Sequence, residues 1–258
     1  SMLIGIGGAF TQQLRFAASQ TVSRPDFKET SLAVFYDNEF NFRVRGNPNL
    51  KVSTVTNYDL RWEQYWSDVE NISVALFYKK FDDPIERVVL TASGTAGNSR
   101  TFRNADSGEM WGIEVDGRRD FPFDEALTKS LFVALNASYI DSEVLVDNQA
   151  SVLQGAPEYT FNLILGYDDI SNGHEFTLLL NQNGETVVDK GVSGQPDIIE
   201  QPRLSMNLNY QYALSDTFTF KAKLENILDQ EVEYTQGGNT FQSYEKGAKF
   251  KAGIDWTF

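Results

Sequence analysis

The sequence predicts an all-β chain, an antiparallel up-and-down transmembrane β-barrel contributing about ten strands, with short turns at one end and long loops at the other. Three observations lead there. Apolar and polar side chains alternate with a period of two along most of the chain, short and long connections take turns, and aromatic residues crowd beside the short ones.

A period of two puts successive side chains on opposite faces of a strand. In chain order, Leu14, Phe16 and Ala18 share one side against Arg15, Ala17 and Ser19. Tyr58, Leu60 and Trp62 oppose Asp59, Arg61 and Glu63, and segments 72–81, 130–141 and 174–182 behave alike. Trp111, Ile113 and Val115 oppose Gly112, Glu114 and Asp116; Phe161, Leu163, Leu165 and Tyr167 keep a looser rhythm. Leu204, Met206, Leu208, Tyr210 and Tyr212 share one side, as do Phe218, Phe220, Ala222 and Leu224. The chain closes on Phe250, Ala252, Ile254, Trp256 and Phe258 against Lys249, Lys251, Gly253 and Asp255. Runs of roughly 9–13 residues suit a tilted strand that crosses a bilayer. No helix is predicted.

Alternation also describes a soluble sandwich with its apolar faces turned inward. The connections separate the two. Short ones fall at 66–71, 124–128, 168–173 (with an Asn172-Gly173 turn signal) and 215–216; long ones cover 24–52, 83–108, 142–157, 184–201 and 230–246. Outer-membrane barrels show this asymmetry, with short periplasmic turns and long extracellular loops. Tyr65, Trp66, Phe121, Phe123, Tyr167, Tyr212, Phe218, Trp256 and Phe258 lie beside the short turns. A bilayer explains that placement, because amphipathic rings settle at the headgroup level. Arg61, Glu63, Glu114, Asp116, Arg118, Lys221, Lys223, Glu225, Lys249, Lys251 and Asp255 would then line a wet interior. In a dry core such charges would cost several kcal/mol each.

Composition narrows the function. A net charge of -14 over 258 residues argues against a nucleic-acid partner. Cysteine is absent and His174 is the sole histidine, which leaves little material for a thiol nucleophile, a zinc site or a catalytic triad. No cofactor, no metal and no enzymatic activity are expected. No apolar run is long enough for a transmembrane helix. The mean hydropathy of -0.35 fits a soluble protein equally well, since strand alternation averages out.

Several stretches, in order, resemble one family: RFAASQTVSRPDF (15–27), GNPNLKVSTVTNYDLRWEQY (46–65), SVALFYKKFDDPIE (73–86), WGIEVDGRRDF (111–121), KAKLENILDQEVEY (221–234) and the closing WTF. Together they resemble the C-terminal barrel of TonB-dependent outer-membrane receptors over 11–258, leaving 1–10 as an unplaced leader. The resemblance implies residence in the bacterial outer membrane, contact with its lipid, and energy-coupled uptake of a scarce nutrient. An iron–siderophore or other metal chelate, or an oligosaccharide, would be captured by the outer loops, and the TonB complex would act on a plug. It also implies that Trp256 and Phe258 form a signal read by the barrel-assembly machinery. The sequence departs from the family in showing no plug, no TonB box and too few strands. The expectation is therefore the last part of a barrel, which supplies wall and loops rather than transport. Such a part would close into a ten-strand ring between 11–22 and 247–258, dimerise, or leave open edges.

Candidate sites within that frame are few. Asp82, Asp83 and Glu86, and separately Asp141, Glu143 and Asp147, could pair as catalytic carboxylates or hold calcium, yet both groups sit at ordinary strand–loop junctions. Gly5-Ile6-Gly7-Gly8-Ala9-Phe10 precedes a strand and so fails as a phosphate loop. His174 reads as a solvated rim residue, and 181–185 and 235–239 as polar turns. Gly46, Asn47 and Pro48 shape the first long loop. Ligand contacts are expected from the outer loops 24–52, 83–108 and 184–201. The competing functions are a soluble acidic β-sandwich or lectin-like binding module and, behind it, a β-rich hydrolase.

Overall fold

Inside a bilayer every backbone N–H and C=O must find its partner within the protein, so a strand crossing it has to be paired on both sides. The computed structural model describes residues 2–6 (backbone), 11–90, 99–126, 128–146, 149–192 and 194–257. The strands are β1 (Met2–Ile6), β2 (Thr11–Ser23), β3 (Val34–Asp37), β4 (Phe42–Arg45), β5 (Ser53–Tyr65), β6 (Asn71–Asp82) and β7 (Ile85–Leu90). There follow β8 (Ser99–Asn104), β9 (Ser107–Pro122), β10 (Lys129–Val146), β11 (Gln149–Ser151), β12 (Tyr159–Asp169), β13 (His174–Asn183) and β14 (Thr186–Gly191). The last are β15 (Ile198–Glu200), β16 (Arg203–Ala213), β17 (Phe218–Glu225), β18 (Val232–Gln236), β19 (Asn239–Tyr244) and β20 (Lys249–Trp256).

The long strands form one antiparallel wall in the order β1-β2-β5-β6-β9-β10-β12-β13-β16-β17-β20, with β11 beside β10. The ten strands expected from the alternation are all present, and the short connections fall where the sequence places them. β1 adds an edge strand within the stretch given no place by sequence. The chain also contains one helical turn, α1 (Phe27–Thr30), which the apolar rhythm could not show. It is held by its cap: the Asp26 amide donates to Glu29 Oε2 at 2.8 Å.

Closure into a ten-strand ring is overturned. Among the described residues β20 pairs with β17, while β2 is flanked by β1 and β5. The edge of β2 that a ring would need is already occupied. Ten antiparallel steps separate β1 from β20, so the two edges run in the same direction and could not join as antiparallel neighbours.

Among the described residues, the apolar flank of the wall packs against no second sheet. Leu208 and Phe220 are half-buried, and Phe250 and Ile254 are 68% and 62% exposed. Among the described residues, the fully buried apolar side chains belong to the outer connections, with Val144 at the outer end of β10. The inward flank carries a belt of polar side chains across seven strands. Glu63 receives Arg15 and Arg61 at 3.0 Å each, and Arg61 donates to Ser73 at 2.8 Å. Arg61 also lies 3.6 Å from Asp116, which accepts from Asn136. Asn162 donates to Asn136 at 3.1 Å, and Asn181 donates to Asn162. Asn181, Gln182 and Asn183 are therefore strand residues, not a turn: β13 runs on through them because each finds a cross-strand partner in β12.

The aromatic rings beside the short turns meet one another. Phe218 stacks with Trp256 at 6.1 Å, Phe176 with Tyr210 at 4.5 Å, and His174 with Tyr212 at 4.4 Å. His174 also meets the Tyr210 hydroxyl at 3.0 Å, so it belongs to the aromatic row rather than standing free in solvent. Phe258 lies outside the described residues. A second row, not foreseen, sits toward the long loops: Tyr58 stacks with Tyr78 at 6.4 Å and Trp111 meets Tyr139 at 6.0 Å. Two rows are what two lipid–water interfaces require.

Gly112 on the inward flank of β9 leaves no room for a side chain. A Cβ there would lie 2.5 Å from Phe77 Cζ and 2.6 Å from the Tyr139 carbonyl oxygen. Gly253 on β20 has nothing within 4 Å of such an atom. Gly112→Ala should lower the stability of the folded barrel by about 1–3 kcal/mol, read as a lower temperature for loss of the fast-migrating band on unheated gels. Gly253→Ala should leave that temperature unchanged.

Candidate functional site in the outer-loop sheet

The five long connections do not hang as separate loops. The short strands of four of them build a second, eight-stranded sheet in the order β19-β18-β15-β14-β7-β8-β4-β3. Three of its junctions join strands from different connections: β4–β8 and β7–β14 are parallel, and β15–β18 is antiparallel. One buried cluster holds it together: Phe40, Phe42, Val89, Ile198, Val232 and Tyr234. Phe40 meets the Tyr234 ring edge-on at 4.8 Å.

Charged side chains run through the same sheet. Asp189 on β14 is fully buried and receives Arg87 at 2.5 Å and Arg100. Arg100, itself buried, also pairs with Asp37 and lies over the rings of Phe40 and Phe42 at 5.1 and 5.0 Å. Burial pushes the Asp189 carboxyl up, and the two guanidiniums oppose that push. Lys190 donates to Ser151 at 2.7 Å and pairs with Asp197 at 3.2 Å. The Arg87 amide donates to Gln154 Oε1 at 2.8 Å. Tyr234 donates to Glu39 at 3.3 Å. These bonds tie all five long connections into one body.

A cavity of about 580 Å³ opens between the first two of them. Arg43 and Arg45 of β4 supply its charge, and Arg100 of β8 lines it with its own charge already met by Asp37 and Asp189; Leu32, Val34 and Leu90 supply apolar surface. No carboxylate is among the described residues of its lining. Gly46, Asn47 and Pro48 line it too. The need for Gly46 is space rather than an unusual dihedral, since a Cβ would lie 2.4 Å from the Ser31 carbonyl oxygen. Asn47 bridges two connections by donating to the Phe102 carbonyl at 3.0 Å.

Of the loops expected to contact ligand, 24–52 and 83–108 thus form the cavity, and 184–201 reaches it through Asp189 behind Arg100. The three arginines escaped notice in the sequence. Their signal was present: Phe42-Arg43-Val44-Arg45 keeps the two-residue beat inside a long connection, with both cations on one side.

The other candidate carboxylates do different things. Asp83 pairs with Lys51 at 3.1 Å, whereas Glu86 is buried on β7, so the two do not converge. Asp141 accepts from Trp111 Nε1 at 3.0 Å on the lipid-facing flank, near Glu143; Asp147 lies outside the described residues. No group of three potential metal ligands occurs among the described residues. Gly237 and Gly238 take left-handed dihedrals in the tight turn between β18 and β19.

A family model, TonB dependent receptor-like beta-barrel, matches residues 9–227. The chain belongs to the TonB-dependent receptor family. Its place is the bacterial outer membrane. It is 29% identical over 223 residues to an iron-regulated outer membrane virulence protein of Vibrio cholerae, covering 83% of this chain and 32% of that one. The chain therefore spans about a third of the length of the curated relatives it matches. Its fold resembles a ferric enterobactin receptor (PfeA) variant from Pseudomonas aeruginosa in complex with enterobactin, with TM-score 0.60 and 17% identity, covering 96% of this chain and 38% of that one. It also resembles the copper transporter OprC, with TM-score 0.66 and 14% identity, covering 96% and 37%. These TonB-dependent relatives are receptors and transporters.

Two measurements probe the loop sheet. Asp189→Asn leaves Arg87 and Arg100 without their shared counter-charge, which costs about 3–5 kcal/mol for a buried pair. The outer connections should become sensitive to added protease while the wall still shows the fast-migrating band. Glu86 supplies a pH dependence. Burial raises its carboxyl to about 7, against an ordinary value of 4.5. The folded sheet then holds a proton that the unfolded chain has already released. Its contribution is complete below about pH 4.5 and falls as pH rises to about 7, by up to roughly 1.4 kcal/mol per unit. Protease resistance of the outer connections should decline over that interval, and Glu86→Gln should flatten the decline.

Proposed function

We propose that this chain is the wall and outer-loop portion of a receptor for TonB-energised uptake of an anionic metal chelate, a ferric siderophore foremost. One observation carries the reading: Arg43 and Arg45 line an outer cavity with no carboxylate among the described residues of its lining, in a chain whose net charge is -14. Against that background, local positive charge selects and steers a negative ligand. A neutral oligosaccharide would gain little from two guanidiniums. The apolar surface from Leu32, Val34 and Leu90 suits the organic body of a chelator. An iron-regulated relative and a neighbour in complex with enterobactin support the same choice. Partners of the whole receptor would be the TonB complex, outer-membrane lipid and, through Trp256 and Phe258, the barrel-assembly machinery.

The test is binding of labelled chelates to cells making the whole receptor. Arg43→Gln with Arg45→Gln should weaken binding of a ferric tris-catecholate tenfold or more and leave a neutral ferric hydroxamate unaffected. Unchanged binding of the anionic chelate, or equal loss of both, removes the reading.

A further inference from the structure

A second cavity, of about 390 Å³, lies on the inward flank of β16, β17 and β20, beneath the last outer connection. Four cations line it: Arg203, Lys223, Lys246 and Lys249. Glu225, the carboxylate of the lining, is engaged by both its oxygens with Lys251 at 2.8 Å. Nearby Lys221 has its own partner in Asp255. None of the four lining cations has an ion-pair partner among the described residues. The Arg203 Nε is covered and lacks an acceptor. The wall thus concentrates net positive charge in one concave place, only partly offset by Glu225, although the chain as a whole is strongly acidic.

We infer that this cavity binds a small multivalent oxyanion, a polycarboxylate or phosphate-bearing group, on the lumen side of the wall. Like charges held in a concave site lower their energy by taking up an anion, and a low-dielectric wall strengthens the attraction. The volume lies within the range of small-molecule pockets. Four cations exceed what a single carboxylate would neutralise, so the anion that suits them is multivalent. As a holding point for cargo, the site rests on the anionic-chelate reading above; as an anion site, it stands without it.

Citrate is a suitable probe, measured by calorimetry on the whole receptor in detergent micelles. An Arg43→Gln, Arg45→Gln background silences the outer cavity. In that background citrate should still bind, more weakly as salt rises. Adding Lys223→Gln and Lys249→Gln should weaken binding tenfold or more, whereas adding Lys221→Gln, whose lysine is already paired, should not. The fast-migrating band on unheated gels verifies that each variant is folded. Absence of citrate binding in the background protein, or equal loss with Lys221→Gln, overturns the inference. So does a receptor that ignores citrate but whose interior becomes protease-sensitive on loss of Lys223 and Lys249, because the cations then serve a protein segment. A receptor that takes up only neutral chelates yet binds citrate here would sink the proposed function and leave this site standing.

Discussion

A wall one strand thick, with hydrocarbon on one side and water on the other, has no dry interior. Most of the architecture follows from that constraint. The backbone is paired strand to strand because lipid offers no hydrogen bonds. Apolar side chains such as Phe250 and Ile254 stay on the outside, and the ionised ones on the inner flank meet each other along and across the strands. The belt from Arg15 to Asn181 shows how: each charge or amide finds its partner one strand away, so no residue bears its desolvation alone.

The packed core that a soluble protein keeps in its middle lies here in the outer connections. Phe40, Phe42, Val89, Ile198, Val232 and Tyr234 come from four of them and could not pack unless those connections folded on one another. Asp189 fastens that arrangement by serving two arginines of the second connection, and one of these, Arg100, reaches Asp37 in the first. A cavity built on such a body is positioned before any ligand arrives, which limits the ordering that binding must impose. The aromatic–arginine stack of Arg100 over Phe40 and Phe42 sets the local polarity behind that cavity.

How much was legible differs by region. Strands such as β5 and β16 were readable because lipid and water impose opposite chemistry on alternate residues, and the connections were readable from their lengths alone. The outer aromatic row was missed because Tyr58, Tyr78, Trp111 and Tyr139 sit inside long alternating runs, where nothing marks the membrane boundary. Asn181 to Asn183 looked like a turn because an amide-rich strand facing water has the composition of a loop. The eight-stranded loop sheet could not be read at all. Its parallel junctions pair Val44 with Arg100 and Lys190 with Val88, residues far apart in sequence with no turn between them to announce the contact.

By itself the sequence determined the class, the strand order, the inward and outward flanks and the family, since each depends on a local period or on motifs that a short window contains. Tertiary structure alone decided that the edges stay apart, that the outer connections share a core, and that Arg43, Arg45 and Arg100 face one cavity. Those outcomes depend on contacts between distant segments, and the energy of such contacts leaves no periodic trace in the chain.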